Sequence, residues 1–244
     1  MDPVISVIIP TYCEEKIIKE CLESIKNQDF EKSKIEIIVV DSNSPDNTRA
    51  IAKKYTDKVL DLKDRGVGKA RNAGAKMAES ETLLFLDADT ILGSNFLTEM
   101  FHTLADPRVV CASGTVVGLE RLGIMVNLFV FLHYGFMNKV AALTARFGFP
   151  LFPAVCCACR KSVFDEVGGF AEDLAVAEDV SFSRKMGKVG KCLVSKEARA
   201  YTSVRRIKKY GLARTYFMYF GNYFKVFILN HKAWIQDFPH VREM

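Results

Sequence analysis

A chain of 244 residues can bury one sizeable core and is short for two domains. With 49% hydrophobic and 26% charged residues it is globular, which excludes a disordered or fibrous chain. A formal net charge of +5 is too mild to indicate nucleic acid and suits an anionic ligand or a membrane surface.

No internal repeat, low-complexity tract or signal peptide is read from the sequence. Val4 to Pro10 is a β-branched run ended by proline and reads as a first strand. Glu14 to Gln28 reads as a helix, with Ile17, Ile18, Cys21, Leu22 and Ile25 on one face. Ile35 to Val40 is a second buried strand ending at Asp41, and the turn Ser42 to Asp46 leads to a helix from about Asn47. Lys58 to Leu62 is a short third strand, and Gly66 to Glu79 a helix rich in alanine and lysine. Leu83 to Leu86 is a fourth strand, apolar on both faces as in a helix-covered parallel sheet. Strand and helix thus alternate, the signature of a parallel sheet with crossover helices.

That fourth strand runs straight into Asp87-Ala88-Asp89. Open α/β sheets place their ligands at the C-terminal ends of the strands. Burying unpaired charge is expensive, so two carboxylates there point to a hard divalent cation and, through it, a phosphate. The alternative is that both cap the helix near Ser94. Arg65-Gly66-Val67-Gly68-Lys69 fits neither the dinucleotide fingerprint nor the P-loop, and reads as a basic loop and helix start near a nucleotide. The seven cysteines lie in apolar segments and read as reduced thiols of a cytosolic protein. The spacing of Cys156, Cys157 and Cys159 is not that of a zinc site.

Four segments in order, V-I-I-P-T-Y-C-E from Val7, I-V-V-D-S-N-S-P-D from Ile38, G-K-A-R-N-A-G from Gly68 and L-F-L-D-A-D-T from Leu84, resemble the inverting family 2 glycosyltransferases. Arg160 to Phe170, with its Gly168-Gly169 pair, and Glu178-Asp179 extend the likeness, which covers roughly residues 4 to 206. The resemblance implies a Rossmann-like GT-A α/β fold: a mixed, mostly parallel central sheet flanked by helices. It implies a catalytic domain over 1–206, with a nucleotide-sugar half (1–118) and an acceptor half (119–206). An aromatic and basic helical extension over 207–244 would follow, amphipathic in character. Pro10, Thr11, Tyr12, Glu14, Asp41, Arg65, Lys69, Arg71, Asp87 and Ala88 would line the nucleotide sugar. Asp89, with Asp87, would hold Mg2+ or Mn2+. Asp179, with Glu178 beside it, stands where the family has its general base. Arg205 and Arg206 would close over the leaving diphosphate or meet an anionic acceptor; a plain solvated charge run is the alternative. Three residues depart from the family pattern: Cys13 for a frequent Asn, Ser42 for a frequent second Asp, and Ala154 for a frequent Gly.

In the second half, Ser94 to Ala105 reads as an amphipathic helix and Val109 to Val117 as a strand. Leu122 to Leu143 is the most apolar stretch, interrupted by Gly123, Asn127, His133, Gly135, Asn138 and Lys139. That is too polar for a transmembrane span and reads as a helix lying on a bilayer or in a groove, or as a core helix. Tyr210 to Leu229 sets aromatic residues beside Arg214 and Lys225, which suits a lipid headgroup region or a partner interface. The expectations are a nucleotide-sugar donor, a polyprenyl-phosphate or glycan acceptor, and a cytoplasmic protein in peripheral contact with the inner face of the cell membrane. Two rival readings are a haloacid-dehalogenase-type phosphatase, from the Asp87-Ala88-Asp89 motif, and a non-catalytic nucleotide-sugar-binding protein.

Overall fold

The computed structural model describes residues 2–120, 122–152, 155–174 and 177–211, with 214, 215 and 217. Ala154 and most of the aromatic stretch 210–229 lie outside the described residues. Eight strands form one sheet in the order β3-β2-β1-β4-β7-β6-β8-β5. They are β1 (Ile5–Thr11), β2 (Ile35–Asp41), β3 (Val59–Asp61), β4 (Thr82–Leu86), β5 (Thr90–Leu92), β6 (Val109–Gly118), β7 (Cys156–Arg160) and β8 (Lys191–Thr202). The first four are mutually parallel, β6 and β8 are parallel to each other, and β7 and β5 run antiparallel to their neighbours.

The helices are α1 (Ile18–Lys26), α2 (Thr48–Ala52), α3 (Val67–Met77), α4 (Phe96–Ala105), α5 (Ile124–Arg146), α6 (Lys161–Glu166), α7 (Glu178–Val189) and α8 (Arg205–Tyr210). Side chains alternate across the strands, so β1 and β4 feed two apolar layers. Val7, Ile9, Leu84 and Leu86 pack with Leu22 and Ile25 of α1 and Phe96 and Met100 of α4. Ile8 and Phe85 pack on the other side with Ala70, Phe164, Phe170 and Phe182. Phe85 sits edge-on to Phe170 at 4.8 Å, and Phe170 stacks on Phe182 at 4.3 Å.

The helix expected from Glu14 begins only at Ile18. Cys13 takes a left-handed conformation (φ 54), which interrupts the turn, and the Glu14 amide donates to Thr48 Oγ1 at 2.7 Å. The 23-residue α5 is long and apolar, yet it packs on the core by one face alone: within it only Val130, Ala141 and Ala145 are buried.

The end of the sheet away from the cleft holds a buried acid. Glu36 stands beside Ser6 in register and accepts from Ser6, from Lys58 and from the Glu79 amide (3.0 Å). Burial alone would raise its carboxyl, but these donors outweigh burial and hold it below its ordinary value. A depressed acid contributes stability that is complete above its ordinary value of 4.5 and is lost as pH falls through the lower folded value. Glu36→Gln is therefore expected to cost about 1.5–3 kcal/mol at neutral pH. In urea titrations the gap between wild type and variant should narrow as the buffer is taken into the acid range.

Candidate active site

Three strand ends and two helix starts converge. At the end of β1, Thr11 Oγ1 donates to Asp41 Oδ2 at 3.0 Å. Asp41, at the end of β2, is fully buried and also accepts from Ser44 N (2.8 Å) and Ser44 Oγ (2.6 Å). Such a carboxylate is rigidly aimed before any ligand arrives. Beside it, the Arg65 guanidinium lies 4.1 Å from the Tyr12 ring centre and donates to its hydroxyl, so the two form one flat wall.

The β4 end carries Asp87 and Asp89. Arg71, on α3 and only 3% exposed, donates through Nη2 to Asp87 Oδ1 at 2.8 Å and through Nη1 to Glu178 Oε1 at 2.7 Å. Burial opposes its charge, but Asp87, Glu178 and Asp179 outweigh burial and keep the guanidinium protonated. Among the described residues its Nε has no hydrogen-bond partner, and the guanidinium lies 5.1 Å from the Phe170 ring centre. Phe170 is held in turn by Asn72, whose side chain accepts from Phe170 N (2.9 Å) and donates to Phe170 O (3.0 Å). The preceding Gly169 has φ +60, and a Cβ there would come 2.6 Å from Asn72 Oδ1, which is why the turn needs glycine. Sequence reading passed over Asn72; its place one residue after Arg71 in the G-K-A-R-N-A-G segment was the available signal.

Asp89 faces α8. Arg205 Nη2 lies 3.0 Å from Asp89 Oδ2, while Arg205 also grips Glu14 with two bonds of 2.6 and 2.7 Å. Burial raises the Asp89 carboxyl well above the usual range; Arg205 and Arg206 pull it down, and Asp87 and Glu14 push it up. The donor set is oxygen only, which fits a hard divalent ion. Among the described residues no group of three or more His, Cys, Asp or Glu could hold a metal, so Asp89 and Asp87 would share the ion with oxygens of a bound ligand and water.

The other sequence candidates fall as follows. Glu178 and Asp179 open α7, where negative charge suits the helix start. Their surroundings differ: Glu178 is buried and engaged by Arg71, while Asp179 is half-buried and accepts from Val180 N at 2.7 Å. Ala88 is buried in the core, so any ligand contact there falls to its backbone. Pro10 is part of β1, paired beside Val40. Lys69 turns to Asp64 at 3.3 Å on an exposed surface and does not join the carboxylates.

The glycosyl transferase family 2 model matches residues 6–168. Poly(ribitol-phosphate) beta-N-acetylglucosaminyltransferase TarS of Staphylococcus aureus is 31% identical over 186 residues, covering 74% of this chain and 32% of TarS. Glycosyltransferase AglE of Haloferax volcanii is 27% identical over 202 residues, covering 77% of this chain and 62% of AglE. The chain thus spans about a third of the length of TarS. A crystal structure of S. aureus TarS in complex with UDP-GlcNAc superposes with a TM-score of 0.67 at 30% identity, covering 82% of this chain and 58% of that one. Mannosyltransferase PcManGT from Pyrobaculum calidifontis, in complex with GDP-Man and Mn2+, gives 0.73 at 23% identity, with 96% and 66% covered, a likeness of fold. The sheet and its helices have the GT-A fold of these enzymes, and with the family model matched over more than half its length the chain belongs to glycosyl transferase family 2.

Proposed function

We propose that this chain transfers a sugar from a nucleotide-diphosphate sugar, UDP-linked first and GDP-linked second, to a hydroxyl of a lipid-linked glycan, with inversion at the anomeric carbon. The observation that carries the reading is the Arg71 bridge. It joins Asp87, on the loop that would hold the metal, to Glu178 at the start of α7, beside Asp179. Thr11, Asp41 and Glu14 would receive the base and ribose, with the Tyr12–Arg65 wall beside them. Asp89 and Asp87 would hold Mg2+ or Mn2+, which when bound neutralises charge developing on the departing diphosphate. Arg205 and Arg206 would steady that diphosphate from the α8 side. Asp179 would take the proton of the attacking hydroxyl, so that the new bond forms as the sugar–phosphate bond breaks opposite to it. The UDP preference is supported by the TarS complex with UDP-GlcNAc, the GDP alternative by a likeness of fold alone. The bases Arg206, Lys208 and Lys209 favour, as second reading, a polyprenyl phosphate acceptor, for which a base is less needed. The protein would work at the inner face of the cell membrane.

A thermal-shift panel tests donor and metal together. A ligand at about 100 times its Kd stabilises by roughly 2.7 kcal/mol, a rise of about 5–10 °C for a chain of this size. The largest rise is expected with a UDP-sugar plus Mn2+. Asp89→Ala should lose the metal-dependent part of the rise, and equal shifts in variant and wild type would remove Asp89 from the metal site.

A further inference from the structure

Among the described residues outside the cleft, the outer face of α5 is an apolar surface without an assigned role. Met125, Leu128, Leu132, Phe136 and Leu143 repeat at three- and four-residue steps and are each more than half exposed, Met125 at 78%. Residues at that spacing share one helix face. Soluble monomers seldom expose so continuous an apolar strip, and where they do it marks a contact surface. The two charges of the helix, Lys139 and Arg146, continue the same strip, and no acidic residue occurs from Arg121 to Phe164.

We infer that this face of α5 docks on an anionic lipid bilayer, lying in the plane of the headgroups. Length and composition alone would let the helix cross a membrane. Its inner face argues for the plane instead. Strand β7 pairs with β6 over Cys111–Ser113, and farther along β6 the Asn138 amide takes both backbone groups of Val116, at 3.0 and 2.8 Å. Val130 and Tyr134 press on Gly118, where a Cβ would come 2.6 Å from Val130, and Ala141 and Ala145 enter the core. Turning this face to lipid would strip Val116 of partners for two buried polar groups. A second copy of the chain is the poorer occupant, because pairing two such strips would bury Lys139 and Arg146 against apolar side chains and like charges. At a bilayer the same two side chains reach anionic phosphates while their stems lie along the acyl boundary.

The surface also has the right neighbour. Val130 touches the Gly118 position that Val204 shares, Ser203 N donates to Asp89 O at 3.1 Å, and Arg205 pairs with Asp89. A docked α5 therefore brings the carboxylate cleft to the membrane surface. The docking rests on the proposed lipid-linked acceptor for its purpose, but its test does not need that acceptor.

The test is flotation of the full chain with vesicles of phosphatidylcholine alone and of phosphatidylcholine mixed with phosphatidylglycerol. Wild type should float with the mixed vesicles, less with neutral ones, and less again in high salt. The variant Leu132→Glu with Phe136→Glu, both at exposed positions, should lower partition by about a hundredfold. Its UDP-sugar and Mn2+ thermal shift should stay as in wild type, which separates failure of docking from failure of the donor reading. Three outcomes overturn the inference: wild type staying soluble with both vesicle types, the double variant floating as well as wild type, or a wild-type dimer that the double variant abolishes.

Discussion

Replacing Asp179 with Asn is expected to lower turnover by about 10²- to 10⁴-fold, the usual worth of a positioned base. The near-isosteric amide keeps the polar contact at Val180 N while removing the proton acceptor and the negative charge that acts on Arg71. Asp179 is the residue to test because it stands where the family resemblance puts the general base. Glu178 is buried and holds Arg71 at 2.7 Å, so it acts through that guanidinium. Asp179 stands one residue on, half-buried, at the first turn of α7. Donor binding should survive: the Mn2+-dependent thermal shift with a UDP-sugar is expected to match wild type. The loss should fall in kcat with a glycan hydroxyl acceptor. A fall confined to KM would assign Asp179 to acceptor positioning and turn the reading toward a phosphate acceptor, which arrives already ionised.

Much of the cleft was legible in the chain because it is built from local signals. Strands β1, β2 and β4 announce themselves by β-branched or apolar runs, β1 and β2 ending at the candidates Thr11 and Asp41 and β4 running directly into Asp87. What could not be read is how distant pieces meet. Arg205 grips Glu14 across 191 residues, and no periodicity in either segment predicts that pairing. Strand β8 was missed because Lys191–Thr202 alternates poorly and carries three lysine or arginine residues, and its order in the sheet comes from pairing with β6 and β5. The start of α1 was misplaced because Glu14 and Glu15 look helical by composition, while the left-handed Cys13 and the contacts to Thr48 and Asp46 hold the chain out of the helix. The exposed side of α5 was equally hidden, since an apolar run does not say which neighbour will cover it.

Replacing Arg71 with Met should be the most damaging single change to stability. The guanidinium is buried at 3% exposure and compensates two carboxylates at once. Asp87 keeps some access to water, with its side chain 31% exposed, but Glu178, at 10%, would be left charged in a closed site. Removing one partner of a buried pair costs about 3–5 kcal/mol, or roughly 6–20 °C in melting temperature for a chain of this size. A whole buried network replaced by apolar residues can instead be close to neutral. Adding Glu178→Leu to Arg71→Met should therefore restore most of the lost melting temperature. Activity should not return with it, because Asp87 would still lack the guanidinium that orients it and Asp179 would sit on a helix start no longer tied to α3. Calorimetry and transfer assays on wild type, both single variants and the double variant measure the two effects separately. If the double variant melts no higher than Arg71→Met alone, the stranded Glu178 charge is not what destabilises the single variant, and Arg71 matters through its packing on Phe170 instead.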